Sequence, residues 1–463
     1  MVSASYEKAV TSMYALGHEL AQTPSQKFDL AHMRVLLEAL ERPERRFPAV
    51  LIAGTNGKGS TAATLAAILA ASGLCTGLYT SPHLVRINER IRVFNQKSSD
   101  SEIGDAEFAD LHHSVELVAT RLVEQGKLPW HPSFFEMLTA IAFLYFAQQK
   151  VDIAVLEVGM GGRLDATNVV EPLVSVIADI ALDHQKFLGD TITEIAREKA
   201  GIIRRAGVVV TLPQQPQAND VIGNAILDAG AKGASAVPYV PPVSPGSPEY
   251  LQKNDSGKMI SRYPLQVMGG EILVETPLVG RHQLRNVALA VSAAEQLASQ
   301  GFPVTAESIE RGIRETRWPG RFQVFHSFNS NEGLRQEFIL DVAHNPAGAW
   351  TLRSTLSAYC KDDERPLTFI FGAMRDKAIG EMAEILFPLA ERVIATQVDN
   401  PRAATPEEIQ AAAGRVAVKI EHAENVAEAL DIASKRAGKN SVTVITGSIY
   451  MVGEAMRVLG LKI

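Results

Sequence analysis

The sequence predicts an α/β protein of two successive parallel-sheet units, a larger one followed by a smaller, Rossmann-like one. Three observations carry this expectation. Short, largely apolar runs such as Phe47–Ala53 and Ile153–Val158 have the length and composition of strands buried on both faces. Segments with helical spacing of apolar residues alternate with them, which is the order of βαβ units. The alternation pauses near residues 312–320 and then restarts, so two sheets are expected.

The opening reads as helical: Tyr6–Leu20 and Leu30–Leu40 space their apolar residues for one helix face, with Gly17 and Pro24 as interruptions. The strand Phe47–Ala53 runs into Gly54-Thr-Asn-Gly-Lys-Gly-Ser60, a small-residue helix Thr61–Ser72 follows, and Leu74–Tyr79 reads as a strand. The same grammar recurs as helix Phe134–Gln148, strands Ile153–Val158 and Leu173–Ile180, helix Thr191–Ala200 and strand Val208–Leu212. Between Val237 and Asp255 prolines are too dense for a central strand or helix interior, so this stretch is a surface connection inside the first unit. Gly269-Gly270 within an alternating pattern marks a hairpin over Tyr263–Leu278, and a helix runs from about Leu284 to Ser299. Beyond Trp318-Pro-Gly-Arg321 come strands Glu337–Val342, Leu367–Phe371, Arg392–Gln397 and Ser441–Thr446. Helices are expected between them at Ala347–Tyr359, Ile379–Ala390, Pro406–Arg415 and Val426–Ala437. The expected domains are 1–316, with a Pro-rich insertion near 237–262, and 317–463.

Composition sets wide bounds. At about 150 residues per domain, a chain of 463 residues suggests three domains, which the two runs of alternation reduce to two. Hydrophobic residues at 46% and charged residues at 21% suffice for sizeable cores. The net charge of −7 excludes nucleic-acid binding by bulk charge while leaving room for a local cationic site. Cys75 and Cys360 have neither disulfide-scaffold nor zinc spacing and suit a reducing compartment. The best apolar stretch, Met137–Ala147, is about half of the ~20 residues a membrane span needs. Glu7, Lys8, His18 and Glu19 interrupt any signal-like run, so a soluble, cytoplasmic protein with no membrane partner is expected.

The strongest chemical signal is the glycine-rich turn between a buried strand and a helix. Glycines let backbone N–H groups approach phosphate oxygens, the helix N-terminus favours anions, and Lys58 can balance β/γ-phosphate charge. Thr55, Asn56, Gly57, Lys58, Gly59 and Ser60 are therefore the candidate nucleotide-phosphate site of a P-loop mononucleotide-binding unit. The usual G-x-x-x-x-G-K-[ST] pattern is not met literally: Ile52 stands at its first glycine and Gly59 follows the lysine. Glu157 ends a buried strand, where open α/β sheets bind ligands, and its carboxylate suits Mg²⁺; Gly159, Gly161 and Gly162 then allow close backbone approach. As residues alone, Arg321 reads equally well as an inter-domain ion-pair partner, Asp341 as a helix cap and Phe134 and Phe135 as core.

Gly54–Ser60 resembles the loop of the folylpolyglutamate synthase/dihydrofolate synthase family, the folate branch of the Mur ligases. Further blocks match in order: Thr80–Leu84, Leu156–Asn168, Leu182–Gln185, Ala196–Ile202, Pro319–Gln323 and Asp341–Pro346. The resemblance implies an ATP-dependent carboxylate–amine ligase that joins L-glutamate to folate or dihydropteroate through an acyl phosphate. It implies two Mg²⁺ ions held by Ser81, Glu157, His184 and Lys199, the last carrying a CO₂-derived carbamate, with Lys58, Lys199 and His184 as the catalytic set. It places ATP also against Asn286, Arg321, Asp341 and His344. It places the pterin-bearing substrate near Phe28, Asp29, Phe134, Phe135, Glu136, Leu164, Asp165 and Ala166, although Ala31-His32-Met33 departs from the family's usual Gly-Leu-Glu. A monomer is expected. A Mur-type ligase of nucleotide-linked sugar peptides, or a non-catalytic nucleotide-binding regulator, would share the loop. The blocks at Leu156–Asn168 and Thr80–Leu84 speak against the first, and the paired second unit with Arg321 and Asp341 against the second.

Overall fold

The computed structural model describes residues 4–17, 29–95, 98–242, 250–254, 257–329, 334–360, 365–414, 416–438 and 441–461. The first unit is organised by β1 (Ala49–Ala53), β2 (Thr76–Tyr79), β3 (Ile91–Asn95), β4 (Ser98–Glu102), β5 (Ile153–Glu157), β6 (Val174–Ile177), β7 (Val208–Thr211) and β8 (Lys232–Ser235). They form one sheet in the order β4-β3-β2-β5-β1-β6-β7-β8, parallel from β2 to β8 with an antiparallel edge at β3 and β4. The phosphate-loop strand β1 lies between β5 and β6, and its own crossover leads past β5 to β2. The carboxyl ends of β1, β5 and β6 therefore meet where crossovers leave in opposite directions, the place where such sheets bind ligands.

Side chains alternate along a strand, so each central strand feeds two cores. Leu51, Ala53 and Leu156 pack with Phe108, Phe143 and Ile195, from the helices Asp105–Glu124, Phe134–Gln149 and Ile192–Ala200. Val50, Ile52 and Val155 pack on the other face with Leu65, Val287 and Ile309, from Lys58–Ala71, Arg281–Ala298 and Ala306–Glu315. Strands β9 (Leu251–Lys253), β10 (Met259–Val267) and β11 (Gly270–Thr276) form a small antiparallel sheet whose β10–β11 hairpin turns at Met268-Gly269, as expected. Of the Pro-rich connection, Val237–Tyr239 is a short 3₁₀ turn, and residues 243–249 lie outside the described residues.

The second unit holds β12 (Gln323–Asn329), β13 (Leu334–Leu340), β14 (Leu367–Phe371), β15 (Arg392–Thr396), β16 (Ile420–Ala423) and β17 (Val442–Thr446), in the order β12-β13-β17-β14-β15-β16. Only β12 runs antiparallel. Phe369 and Val444 pack with Leu352, Met382 and Ile409 on one face, and Ile370 and Ile445 with Val426, Ala429 and Met456 on the other.

Several expected boundaries shift. The first helix is Ala4–Ala15, followed by Gly17 at φ 93°; its expected end, Leu20, is outside the described residues. The helix after the phosphate loop starts at Lys58 rather than Thr61, because left-handed Gly57 (φ 85°) caps it directly. The strands β3, β4, β8, β12 and β16 were not expected; they are edge or near-edge strands, and their polar residues (Ser98-Ser-Asp-Ser-Glu102 in β4, for example) hide the apolar-run signal.

Candidate active site

A cavity of about 730 Å³ opens at the carboxyl edge of the first sheet and extends to the second unit. The loop after β1 forms its floor. Thr55 and Asn56 donate their backbone N–H groups to the carbonyl of Asp179 at 2.8 and 3.1 Å, which pins the loop to the segment after β6. Lys58 Nζ arches back to the Thr55 carbonyl at 3.1 Å and lies 4.0 Å from Glu157 Oε1. Two glycines are required by close approach. A Cβ on Gly57 would lie 2.2 Å from Asn286 Oδ1, and one on Gly59 would lie 2.5 Å from Trp318 Cζ2. Gly59 replaces the usual Ser or Thr because an indole occupies the space that side chain would need.

Glu157 is buried at the end of β5 and accepts the Ser81 backbone N–H at 3.2 Å. Lys199, on the helix Ile192–Ala200, is buried and donates to the Gly54 carbonyl at 2.8 Å. Burial first, and the charge of Lys58 second, push its pKa down to about 7. The structure thus turns what the sequence presents as one residue of a charged helix face into a buried amine with a large neutral fraction. His184 is held to about 3, chiefly by burial and further by the Lys377 and Lys58 ammonium groups against the opposing pull of Asp183, so its imidazole is neutral and its lone pair available to a metal. A buried carboxylate, a serine, a neutral imidazole and an amine able to take up CO₂ fit Mg²⁺ once that amine carries carbamate oxygens; as a cation, Lys199 would not fit. Among the described residues no group of three His, Cys, Asp or Glu side chains could hold a metal, so the set depends on Ser81 and Lys199.

The second unit closes the cavity. Arg321 lines it with its guanidinium 5.9 Å from the Trp318 ring. Asp341, just past β13, accepts the N–H groups of Phe322 and Ala343, both at 2.9 Å. Both cap-like bonds are backbone bonds, so Asp341 holds the Arg321–Phe322 turn, where Phe322 takes φ 45°. Asn286 donates to Gln283 Oε1 at 2.9 Å. His282 beside it is pushed down to about 3 by burial, and then by Arg321. His344 Nε2 stands 3.5 Å from Asp183 Oδ2.

Asp183 lies in a matching block but has no expected role there, and Lys377 carries no signal in the sequence, yet they form the centre of the junction. Asp183 receives Lys377 Nζ at 2.6 Å and Asn345 Nδ2 at 3.1 Å. Burial opposes its ionisation, but the hydrogen bond to His344 and the Lys377 ammonium outweigh it and hold the carboxyl well below the usual range. Asn345 also exchanges amide hydrogen bonds with Asn56, at 3.0 and 3.4 Å, tying the phosphate loop to the second unit.

The far end of the cavity is aromatic. Phe135 covers Gly159, where a Cβ would lie 2.5 Å from its Cζ, and Phe134 stacks on Tyr14 with ring centroids 5.8 Å apart. Leu164 and Ala166 line this end. Each acid there also accepts a backbone N–H. Glu136 accepts from Ser133 N–H and Oγ at 2.8 and 2.7 Å and pairs with His32 at 2.9 Å. Asp165 caps a 3₁₀ turn through Thr167 N–H at 3.0 Å and also accepts Met160 N–H at 3.0 Å. Asp29 caps the helix Leu30–Ala39 through Ala31 N–H at 2.8 Å. Phe28 lies outside the described residues. Trp130, unmarked in the sequence, and His32, noted there only as part of a departure from the family's usual residues, complete this wall.

A strand–loop–helix phosphate cradle, facing a second sheet that supplies an arginine across the same cavity, defines the class of ATP-dependent Mur-type ligases. Residues 52–294 match the family model of the Mur ligase middle domain, and residues 320–449 that of the Mur ligase glutamate ligase domain. The chain belongs to the folylpolyglutamate synthase/dihydrofolate synthase family and is an ATP-dependent ligase. It is 35% identical to folylpolyglutamate synthase of Lacticaseibacillus casei, covering 92% of this chain and 94% of that one. It is 32% identical to dihydrofolate synthase/folylpolyglutamate synthase of Bacillus subtilis, over 92% and 93% of the two chains. It spans 47% of a probable bifunctional folylpolyglutamate synthase/dihydropteroate synthase of Haloferax volcanii, about half that protein's length. Among solved structures, Mycobacterium tuberculosis folylpolyglutamate synthase complexed with ADP and AMPPCP superposes with a TM-score of 0.82 at 32% identity, covering 98% of this chain and 99% of that one. An FPGS–AMPPCP–folate complex superposes with a TM-score of 0.79 at 31% identity, with the same coverage.

Proposed function

We propose that this protein adds L-glutamate to dihydropteroate or reduced folates in the cytoplasm as a monomer, using residues 1–316 for ATP and 317–463 to complete the site. The observation that carries this reading is the convergence of Lys58, Glu157, His184 and Lys199 on one cavity with Arg321 from the second unit. The loop N–H groups and Lys58 cradle the β- and γ-phosphates, and Arg321 supplies a fixed cation from the opposite side. The acceptor carboxylate oxygen attacks the γ-phosphorus, the bridging P–O bond breaks, and ADP leaves. The glutamate amine then attacks the acyl carbon, the carbon–oxygen bond to phosphate breaks, and the amine proton passes to solvent or phosphate. Phosphoryl transfer needs positioning and charge stabilisation more than a protein nucleophile. Ser81, Glu157, His184 and a carbamate on Lys199 would hold Mg²⁺, whose chemistry here is to neutralise phosphate charge. Asn286, Asp341 and His344 border the nucleotide end, Asp341 by shaping the Arg321 turn. The aromatic end, with Phe134, Phe135, Leu164 and Ala166, takes the acceptor's flat ring system.

The test is product mass after incubation with ATP, glutamate and either dihydropteroate or tetrahydrofolate. Glutamate is expected on at least one acceptor, and Lys58→Ala is expected to abolish its incorporation. Near-normal turnover of that variant, or no product with either acceptor, overturns the assignment.

A further inference from the structure

One wall of the acceptor end is built differently from the rest. Trp130 has 43% of its surface accessible, yet it lines the cavity. Nothing from its own loop explains why a partly exposed indole should keep one orientation. His32 does. It is buried at 8% exposure, and its ring stacks on the indole with centroids 5.6 Å apart and planes 24° from parallel. Its Nε2 is 3.1 Å from the Trp130 carbonyl oxygen and its Nδ1 is 2.9 Å from Glu136 Oε1.

Those two partners determine the protonation state. A backbone carbonyl and a carboxylate only accept hydrogen bonds, so satisfying both requires protons on both ring nitrogens. His32 is then an imidazolium that ties three segments together: its own helix Leu30–Ala39, the loop carrying Trp130, and the first turn of the helix Phe134–Gln149. The charged groups facing it are Glu136 from that last helix and Asp29 from the cap of its own. Burial disfavours the cation, but both carboxylates and the Trp130 carbonyl favour it, and the balance raises the pKa above the ordinary 6.5. Loss of one proton forces His32 to drop one of its two bonds, so the neutral ring can hold Glu136 or the Trp130 carbonyl but not both.

We propose that His32 is a positioning residue: an imidazolium strut that fixes the Trp130 indole as a stacking face for the acceptor's flat heteroaromatic ring, so that acceptor affinity depends on its protonation. This rests on the reading that the aromatic end of the cavity takes the acceptor. His32 itself does not touch the reacting carboxylate, which must lie near Lys58 and Arg321 at the other end.

The experiment measures KM and kcat for the acceptor and for ATP, across pH, in the wild type, Trp130→Ala, Trp130→Phe and His32→Gln. Trp130→Ala is expected to raise the acceptor KM about tenfold, with kcat and the ATP KM nearly unchanged, and Trp130→Phe to recover most of the loss because a ring face is restored. In the wild type the acceptor KM is expected to be lowest on the acid side and to rise as pH passes through the raised His32 pKa. His32→Gln is expected to keep the higher KM at all pH values and to lose that limb. Unchanged acceptor KM in Trp130→Ala, or the same pH limb in His32→Gln, overturns the proposal. A wild type that turns over no folate acceptor would instead sink the assignment of function. An equal rise in the ATP KM, or a large fall in kcat, in Trp130→Ala would mean general damage to the fold and would overturn a positioning role.

Discussion

Gly59→Ser makes the phosphate loop look more ordinary, placing a hydroxyl after the lysine where such loops usually carry one. The structure predicts harm. The new Cβ would lie 2.5 Å from Trp318 Cζ2, 3.1 Å from Cε2 and 3.3 Å from Glu157 Oε2. Carbon atoms pack comfortably at about 3.5–4.0 Å, so the indole must retreat by about 1 Å. Overpacking of this kind costs about 1–3 kcal/mol. Replacing a glycine within a helix returns at most about 1 kcal/mol, so a net loss on the order of 1–2 kcal/mol remains. The catalytic consequence is separate. Trp318 sits 5.9 Å from the Arg321 guanidinium, and losing a desolvated contact of that type costs about 1 kcal/mol, or about fivefold in ATP KM. Thermal unfolding and ATP KM, measured for Gly59→Ser, Trp318→Ala and the double variant, separate the two effects. Removing the indole should make the added hydroxymethyl group nearly harmless, a coupling between neighbours of about 1 kcal/mol or more. A Gly59→Ser enzyme with wild-type ATP KM, or the same penalty with and without Trp318, refutes the reasoning.

Two other expectations concern buried charge. Lys199 has a pKa near 7, so its neutral, CO₂-reactive fraction grows as pH rises through that value; activity in CO₂-stripped buffer should fall, and bicarbonate should restore it more effectively at pH 8 than at pH 6. Lys199→Met should abolish turnover without bicarbonate rescue, and bicarbonate-independent activity of the wild type would exclude the carbamate. Lys377→Met leaves the Asp183 carboxylate buried without its closest cation and should cost about 3–5 kcal/mol in denaturant unfolding. Because the Asp183 pKa is depressed, its contribution is present above about pH 3.8 and is lost as pH falls through the lower folded value; the stability gap between Lys377→Met and the wild type should therefore close in acid.

The central strands were legible because burial on both faces leaves an apolar run, complete in Ala49–Ala53 and broken only by the terminal Glu157 in Ile153–Glu157. Edge strands such as Ser98–Glu102 were not, because pairing on one side places few demands on side chains. The helix Asp105–Glu124 was missed although Phe108, Leu111, Val115 and Leu122 keep helical spacing, so its signal was present. The site divides along a similar line. The loop and Glu157 could be read from their residues and their place at strand ends, whereas the role expected of Lys199 came only from the resemblance of its block. Asp183 with Lys377, 194 residues apart, and Asn56 with Asn345, 289 apart, are pairings that exist only once two sheets face each other. Glu136 and Asp165 carry a further task that the residues alone did not announce: both line the cavity, and both also hold a helix end or a backbone turn.

The Asn56–Asn345 exchange also has a bearing on synthesis. The loop emerges from the ribosome long before its partner, and domains generally fold as they emerge. A nascent chain ending near residue 320 already contains every strand of the first sheet and the whole phosphate cradle. It still lacks Arg321, Asp341, His344 and Lys377, so its nucleotide pocket stands open on one side. On the proposed reading, the groups that complete the nucleotide site from the far side arrive only with the last third of the polypeptide.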